Sequence, residues 1–256
     1  MFDPVRVVEV VHRSAAVRDR LDELAVRVRP VTLAREQRLP VVAALAGLVP
    51  HGGLRRGTTV AVGATAGATG ATSLALALAA GPSAAGSWVA AVGLGALGLA
   101  AAAEMGVALE RTVLVAAPHP GSWAEVVAAL VDGFDLVLVR PVRGIRPAEA
   151  RRLAGRARDR GAVLVQVADR GSGPLPPGDL VLRVVASSWE GLEAVHGEGA
   201  GGGYGHLAAR RVTVAAGGRG EASMPRQADL WLPGRDGRVG EVLDPPTPLR
   251  RRGVAR

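Results

Sequence analysis

The residues that most resemble a chemical motif lie at 58–80, in the stretch TTVAVGATAGATGATSLALALAA. A β-branched strand, a glycine-rich turn and an Ala/Leu helix have the layout of a phosphate-binding loop, G-x-x-x-x-G-K-[ST]. Gly70 holds the second glycine position and Thr72 the hydroxyl position. Thr65 stands where the first glycine belongs, and Ala71 replaces the lysine. All 31 basic residues are arginine, so no other lysine can substitute. The residues of this degenerate loop are Gly63, Gly67, Gly70, Ala71, Thr72 and Ser73.

ATP hydrolysis at such a loop also needs a carboxylate that holds Mg²⁺ and another that orients water, each following a neighbouring strand. Here the strand FDLVLV is followed by Arg140, and the strand at 88–92 is followed by Gly93, Leu94 and Gly95. Losing charge stabilisation at a transferring phosphoryl group slows the reaction by orders of magnitude. We therefore expect no catalytic residue, no metal and no cofactor. The alternative is weak ATP binding without hydrolysis, through backbone N–H groups at the helix start.

Arginines at the end of FDLVLV, in the following loop and in the next helix form the densest basic run of the chain. They could contact DNA phosphates or an acidic partner, or form a solvated helix face balanced by Glu149 and Asp159. The basic C-terminus is either a docking segment or an end without function. Trp189 is either a partner contact or a packing residue. The candidate contact residues are Arg140, Arg143, Arg146, Arg151, Arg152, Arg156, Arg250, Arg251, Arg252 and Trp189.

Alternating strands and helices must position these residues. This alternation predicts an α/β fold with a mostly parallel sheet, helices on both faces and antiparallel strands toward the C-terminal edge. Residues 193–208 are so rich in glycine that they predict a mobile loop. The predicted strands are 58–62, 88–92, 112–116, 134–139, 162–167, 180–186, 211–215 and 228–232. The predicted helices are 13–29, 96–109, 123–131, with Ser122 as N-cap, and 148–159.

The chain of 256 residues predicts three parts: an N-terminal helix and linker (1–36), a core domain (37–234) and a disordered basic tail (235–256). The helix at 13–29 has an apolar stripe that predicts self-association, partner binding or packing on its own core. A net charge of +8 favours acidic partners or serves solubility alone. The absence of cysteine excludes disulfides and thiolate chemistry. We expect a cytoplasmic protein that has no membrane partner.

The order of these pieces resembles the core of the RecA recombinase over roughly residues 35–234. The entry LAGLVPHGGLRRGTTVAVGA is similar to the segment before the RecA phosphate loop. The block MGVALERTVLVAAPHPGSWAEVVAALVDGFDLVLV and the C-terminal strands follow in RecA order. The segments GGLRRGT, GDLVLRV, SSWEGL, RRVTV and ADLWLPG look like those of the ImuA type, the RecA-related proteins of actinobacterial mutagenesis cassettes.

The resemblance implies a RecA-like phosphate-loop core and a non-catalytic role in SOS-induced mutagenic translesion DNA synthesis. Its implied partners are the inactive Y-family polymerase homologue of the cassette and, indirectly, the error-prone C-family polymerase. Recruitment would bring the protein to the nucleoid. Contact with DNA and self-association are further implied possibilities. Two alternatives stay open: a weak nucleotide-binding ATPase, and a DNA-binding recombination mediator.

Overall fold

A computed structural model describes residues 38–95, 97–142, 144–168, 178–194 and 203–242. The chain divides into two compact units, residues 1–37 and 38–256. The predicted helix at 13–29 belongs to the first unit and lies outside the described residues. Arg143 and the arginines at 250–252 lie outside them as well.

A sheet of nine strands forms the centre of the second unit, in the order β11-β10-β9-β8-β3-β7-β6-β4-β5. The six strands from β8 to β5 are parallel, and β9, β10 and β11 continue the sheet in antiparallel pairing. The prediction of a mostly parallel α/β sheet with antiparallel strands at the C-terminal edge is thus confirmed. The strands are β1 (Arg38–Pro40), β2 (Gly53–Arg55), β3 (Thr59–Ala64), β4 (Val89–Val92), β5 (Thr112–Val115), β6 (Leu136–Val139), β7 (Val163–Val167), β8 (Leu180–Ala194), β9 (Gly203–Gly218), β10 (Arg226–Trp231) and β11 (Gly240–Glu241).

Helices cover both faces of the sheet. On one face, α1 and the small β1–β2 sheet pack on β3, β7 and the antiparallel strands. On the other face, α3 and α4 pack on β4, β6 and β7. Strands buried on both sides explain the continuous apolar runs in the sequence. The helices are α1 (Ala71–Ala84), α2 (Leu99–Glu104), α3 (Trp123–Gly133) and α4 (Pro147–Arg160).

Two predicted elements differ from the structure. The helix predicted at 96–109 is confined to Leu99–Glu104, because Gly106 takes a positive φ of 96° that a helix cannot continue through. The mobile loop predicted at 193–208 is wrong at residues 193–194 and 203–208, because β8 extends to Ala194, β9 begins at Gly203, and the two strands pair. Register shifts in this pair lie at 184/186 and 190/192, and Gly191, with a φ of 94°, is the extra residue of the second shift.

Ser122 occupies the predicted N-cap position of α3, but its side chain does not cap the helix. At the C-terminal end of the core, β11 lies inside the segment that we assigned to a basic tail, and residues 243–256 lie outside the described part. None of the helices described is both long and apolar enough to cross a lipid bilayer.

Candidate functional site

The degenerate loop follows β3 at the carboxyl edge of the parallel sheet. Gly67 and Gly70 have φ values of 84° and 120°, which residues with a Cβ rarely adopt, so the turn depends on them. The Thr65 N–H donates to the Val184 carbonyl at 2.9 Å, which fixes the start of the loop on β8. The Thr69 N–H donates to Ser187 Oγ at 3.0 Å. Three loop amides that a phosphate could use, those of Thr65, Ala68 and Thr69, are therefore already hydrogen-bonded within the protein.

The loop runs directly into α1. The first described helical bond joins the Leu74 N–H to the Gly70 carbonyl at 2.9 Å. The amides of the three preceding residues, Ala71, Thr72 and Ser73, have no intrahelical acceptor by the geometry of an α-helix. They form the positive end of the helix dipole. Loop and helix start together line a cleft of about 600 Å³.

Arg210 on β9 is the functional candidate that we did not predict from the sequence. Its side chain is only 6% exposed, although it is charged. Its Nη2 donates to Ser73 Oγ at 2.6 Å, and its Nε donates to the Leu232 carbonyl at 2.7 Å. The guanidinium lies 5.0 Å from the centre of the Trp189 ring. A cation from the antiparallel strands thus reaches the helix start where the motif lacks its lysine.

One signal in the sequence could have identified Arg210. The segment RRVTV places Arg210 and Arg211 next to each other in a strand, and neighbouring strand residues point to opposite faces. One of the two arginines must therefore point toward the covered face. Arg211 is the other one, and it pairs with Asp229 at 2.7 Å. Which of the two reaches the loop depends on strand order, and the sequence pattern does not contain that information.

Arg140 follows β6 at the same edge of the sheet, as the sequence predicted. It is half-buried, and its carbonyl accepts a hydrogen bond from Trp123 Nε1 at 3.1 Å. Together with Arg210, it lines a second cleft of about 360 Å³ that shares Thr72 and Ser73 with the first. Gly93 follows β4, with a φ of 69°, and its N–H donates to the Val115 carbonyl.

The structure does not bring the remaining described arginines of the basic run together at this site. Arg146 pairs with Glu149 at 2.8 Å, which raises the pKa of Arg146 and lowers the pKa of Glu149. Arg156 binds Asp132 of α3 through a two-pronged contact. Arg151 and Arg152 are exposed on α4. The part of the run that could meet DNA without first breaking an ion pair is therefore narrower than the sequence indicates.

Trp189 lies on β8 with 39% of its surface exposed. One side of its ring is covered by the Arg210 guanidinium. Trp189 is therefore partly packed and partly exposed, and its role as a partner contact stays a prediction. Among the described residues, no group of three or more His, Asp or Glu side chains could hold a metal ion.

Residues 47–172 match the family model of the MT3502 N-terminal domain. This range contains the loop, α1 and the strands from β3 to β7. It ends before β8 and β9, which contribute Trp189 and Arg210.

A relative is the uncharacterized protein Rv3395c of Mycobacterium tuberculosis, which is 42% identical over 99 residues. The aligned part covers 38% of this chain and 48% of the relative, so the chain spans about half the length of the curated relative that it matches.

Proposed function

We propose that this chain is a non-catalytic, RecA-like accessory protein of SOS-induced mutagenic translesion synthesis. It binds the inactive Y-family polymerase homologue of its cassette and, through it, supports the error-prone C-family polymerase. The observation that carries the proposal is the set of residues at the carboxyl edge of the sheet. The loop there keeps its turn and its helix, whereas arginine and glycine occupy the strand ends where an ATPase keeps carboxylates.

Three further observations support this proposal. The loop strand β3 lies inside a six-stranded parallel sheet, and antiparallel strands follow it, as the RecA resemblance implies. The mycobacterial origin of the relative agrees with an actinobacterial lineage. Trp189 offers an exposed aromatic surface beside the loop, and residues of this type often carry the binding energy of protein interfaces.

The test is complex formation between the full chain and the Y-family homologue from the same genome. We expect the purified proteins to co-elute, and we expect W189A to weaken the complex by about tenfold or more. Trp88 is a matched control, because it is 43% exposed and its ring also lies under an arginine, Arg111, at 5.3 Å. W88A should leave the complex unchanged.

Two results would contradict the proposal. The first is the absence of any complex at micromolar concentrations of both proteins. The second is magnesium-dependent release of phosphate from ATP by the purified chain, which would support the alternative of a weak ATPase.

DNA binding is a second candidate function, of the kind expected for a recombination mediator. It is favoured by the exposed positions of Arg151 and Arg152 on one turn of α4. Within the described part of the chain, neither side chain has a short ion pair of the kind that occupies Arg146 and Arg156. This candidate is compatible with an accessory protein that also touches DNA.

A further inference from the structure

Arg210 is a buried cation, and the structure places no buried anion beside it among the residues that it describes. Within the described part of the chain, no carboxylate neutralises it, and its hydrogen-bond partners are a hydroxyl and a carbonyl. Burial alone lowers the pKa of its guanidinium, with no opposing contribution from a negative charge. Burying an unpaired charge is costly. The two hydrogen bonds and the Trp189 ring offset part of this cost, and an anion bound in the cleft would offset more of it.

The electrostatic potential around Arg210 is positive as well, which raises the cost of burying its charge. The guanidinium touches Ser73 in the first turn of α1, where the helix dipole is positive and the amides are without intrahelical acceptors. A Cβ added at Gly70 would lie only 3.2 Å from the Cζ of Arg210, so the guanidinium lies directly against the loop backbone. Two sources of positive potential therefore meet in one cleft.

The side chains around this cleft continue the same trend. The described residues that line the two adjoining clefts include Arg140 and Arg210 but no aspartate or glutamate. The strand end that would hold a metal-binding carboxylate in an ATPase carries a guanidinium instead. Guanidinium groups bind phosphate oxygens through paired N–H donors. The donor set fits an oxyanion directly and does not need a metal ion as a bridge.

We infer that Arg210, reaching across from β9, supplies the cation of an anion site at the degenerate loop, and that this site binds the phosphate groups of a small oligophosphate. The amides of the first turn of α1 donate from one side, and the guanidinium donates from the other. The inference goes beyond the proposed function, because partner binding does not require a ligand. It assigns Arg210 a role in ligand binding that neither the loop motif nor the family match contains.

The experiment measures the binding of inorganic diphosphate to the full chain in the presence of EDTA, by calorimetry and by the rise in melting temperature. We expect saturable binding that does not need magnesium. R210Q should weaken it by about tenfold or more, because hydrogen bonds to a charged donor are lost. R111Q is the matched control, since Arg111 stacks on Trp88 in the same manner but at an exposed site. It should bind as tightly as the wild type.

S73A keeps the test decisive if R210Q fails to fold. This change removes the hydroxyl that Arg210 Nη2 contacts but leaves the guanidinium in place. It should bind diphosphate more tightly than the wild type, because the Nη2 donor is released toward the ligand, and unchanged or weaker binding would overturn the inference. If Arg210 serves only the fold, neither the wild type nor any variant will bind diphosphate, and S73A will only lower the melting temperature. That result would overturn the inference.

The source of the phosphate is resolved by comparing three ligands. Diphosphate, ADP and a short single-stranded DNA are titrated in parallel. Tighter binding of ADP than of diphosphate identifies a nucleotide, and equal binding identifies the oligophosphate group alone. Binding of the DNA without binding of diphosphate or ADP would overturn the inference. The absence of binding of either small ligand up to about 10 mM would also overturn it, because even a weak ligand with a Kd of ~1 mM would bind at that concentration. Complex formation with the polymerase homologue is measured separately without phosphate, so the two proposals can fail independently.

Discussion

Asp132 is the residue whose charge the structure perturbs most clearly. Arg156 donates to both of its carboxylate oxygens, and Arg160 Nε donates at 3.1 Å. The hydrogen bonds from Arg156 are the main reason that the pKa of Asp132 falls from its usual 3.8 to about 2. This cluster joins α3 to α4 on the face of the sheet opposite the α1 packing.

We predict that D132N lowers the melting temperature by a few degrees at pH 7 and that this effect becomes small near pH 2. A carboxylate with a depressed pKa stabilises the folded state above its unfolded pKa, and the stabilisation is lost as the pH falls through the folded pKa. For Asp132 the loss occurs between about pH 4 and pH 2. Melting curves at several pH values in this range measure it.

E125Q on the same helix is the control, because Glu125 is exposed and has no ion pair among the described residues. Its curve should follow the wild type throughout. A D132N curve that lies as far below the wild type at pH 2 as at pH 7 would show that the effect does not come from ionisation.

Hydrogen bonds to one carboxylate join the starts of two parallel strands, β3 and β8. Asp179, just before β8, accepts hydrogen bonds from both the N–H and the hydroxyl of Thr59 at 2.8 and 2.9 Å. Thr59 is buried at the start of β3. D179A removes the acceptor and leaves a buried N–H without a partner, so we expect a loss of about 1–3 kcal/mol in the free energy of unfolding. Urea denaturation measures this loss, and an unchanged midpoint would contradict the assignment.

At the scale of elements, two helical glycines differ in their surroundings. Gly81 lies in α1 where the helix crosses the end of β1, and a Cβ there would lie 2.6 Å from the Pro40 carbonyl oxygen. Gly155 lies in α4, and a Cβ there would meet nothing within 4 Å. The same substitution should therefore have opposite effects in the two helices.

We predict that G81A destabilises the protein by about 1–3 kcal/mol, because the clash involves backbone atoms that cannot move aside. G155A should stabilise it by about 0.5–1 kcal/mol, since alanine is the better helix former. Chemical denaturation of the two variants under one set of conditions compares them directly. A stabilising G81A would show that the β1 segment does not pack on α1 as closely as described.

At the scale of the whole molecule, the net charge of +8 raises the question of nucleic acid binding. The structure divides the basic run of α4 into paired and exposed arginines. If the chain binds single-stranded DNA through this run, the exposed pair Arg151 and Arg152 should carry the contacts. Arg156 should contribute less because Asp132 already binds it.

We predict that R151Q/R152Q weakens binding to single-stranded DNA and lowers the slope of log K against log salt. The slope should fall by about 0.7 for each phosphate that the two side chains no longer neutralise. R156Q is the matched control on the same helix, and its slope should stay near that of the wild type. Titrations at several salt concentrations, followed by fluorescence anisotropy, give both slopes. An equally large drop in R156Q, or no binding at low salt, would remove the DNA-binding candidate.

Much of the architecture was contained in the sequence alone. Apolar β-branched runs separated by helical patterns predicted the parallel strands and the two helical layers, because burial on both faces requires such runs. The positions of Gly70, Ala71 and Arg140 followed from motif spacing, which is a property of the chain itself. Predictions from local composition were wrong where pairing with another strand decides the structure. The glycines at 203–208 indicated a loop, yet pairing with β8 satisfies their backbone groups.

Tertiary structure places the Arg210 cation beside the loop. Arg210 is separated from Ser73 by 137 residues, and the two meet only because β8 and β9 are added beside β3. Local sequence patterns report the face on which a side chain lies, but not which distant element that face will cover. The sequence determined that this loop has Ala71 where the phosphate-binding motif has a lysine. Only the packing of the antiparallel strands decided that an arginine would stand beside it, because that packing alone brings the two segments within bonding distance.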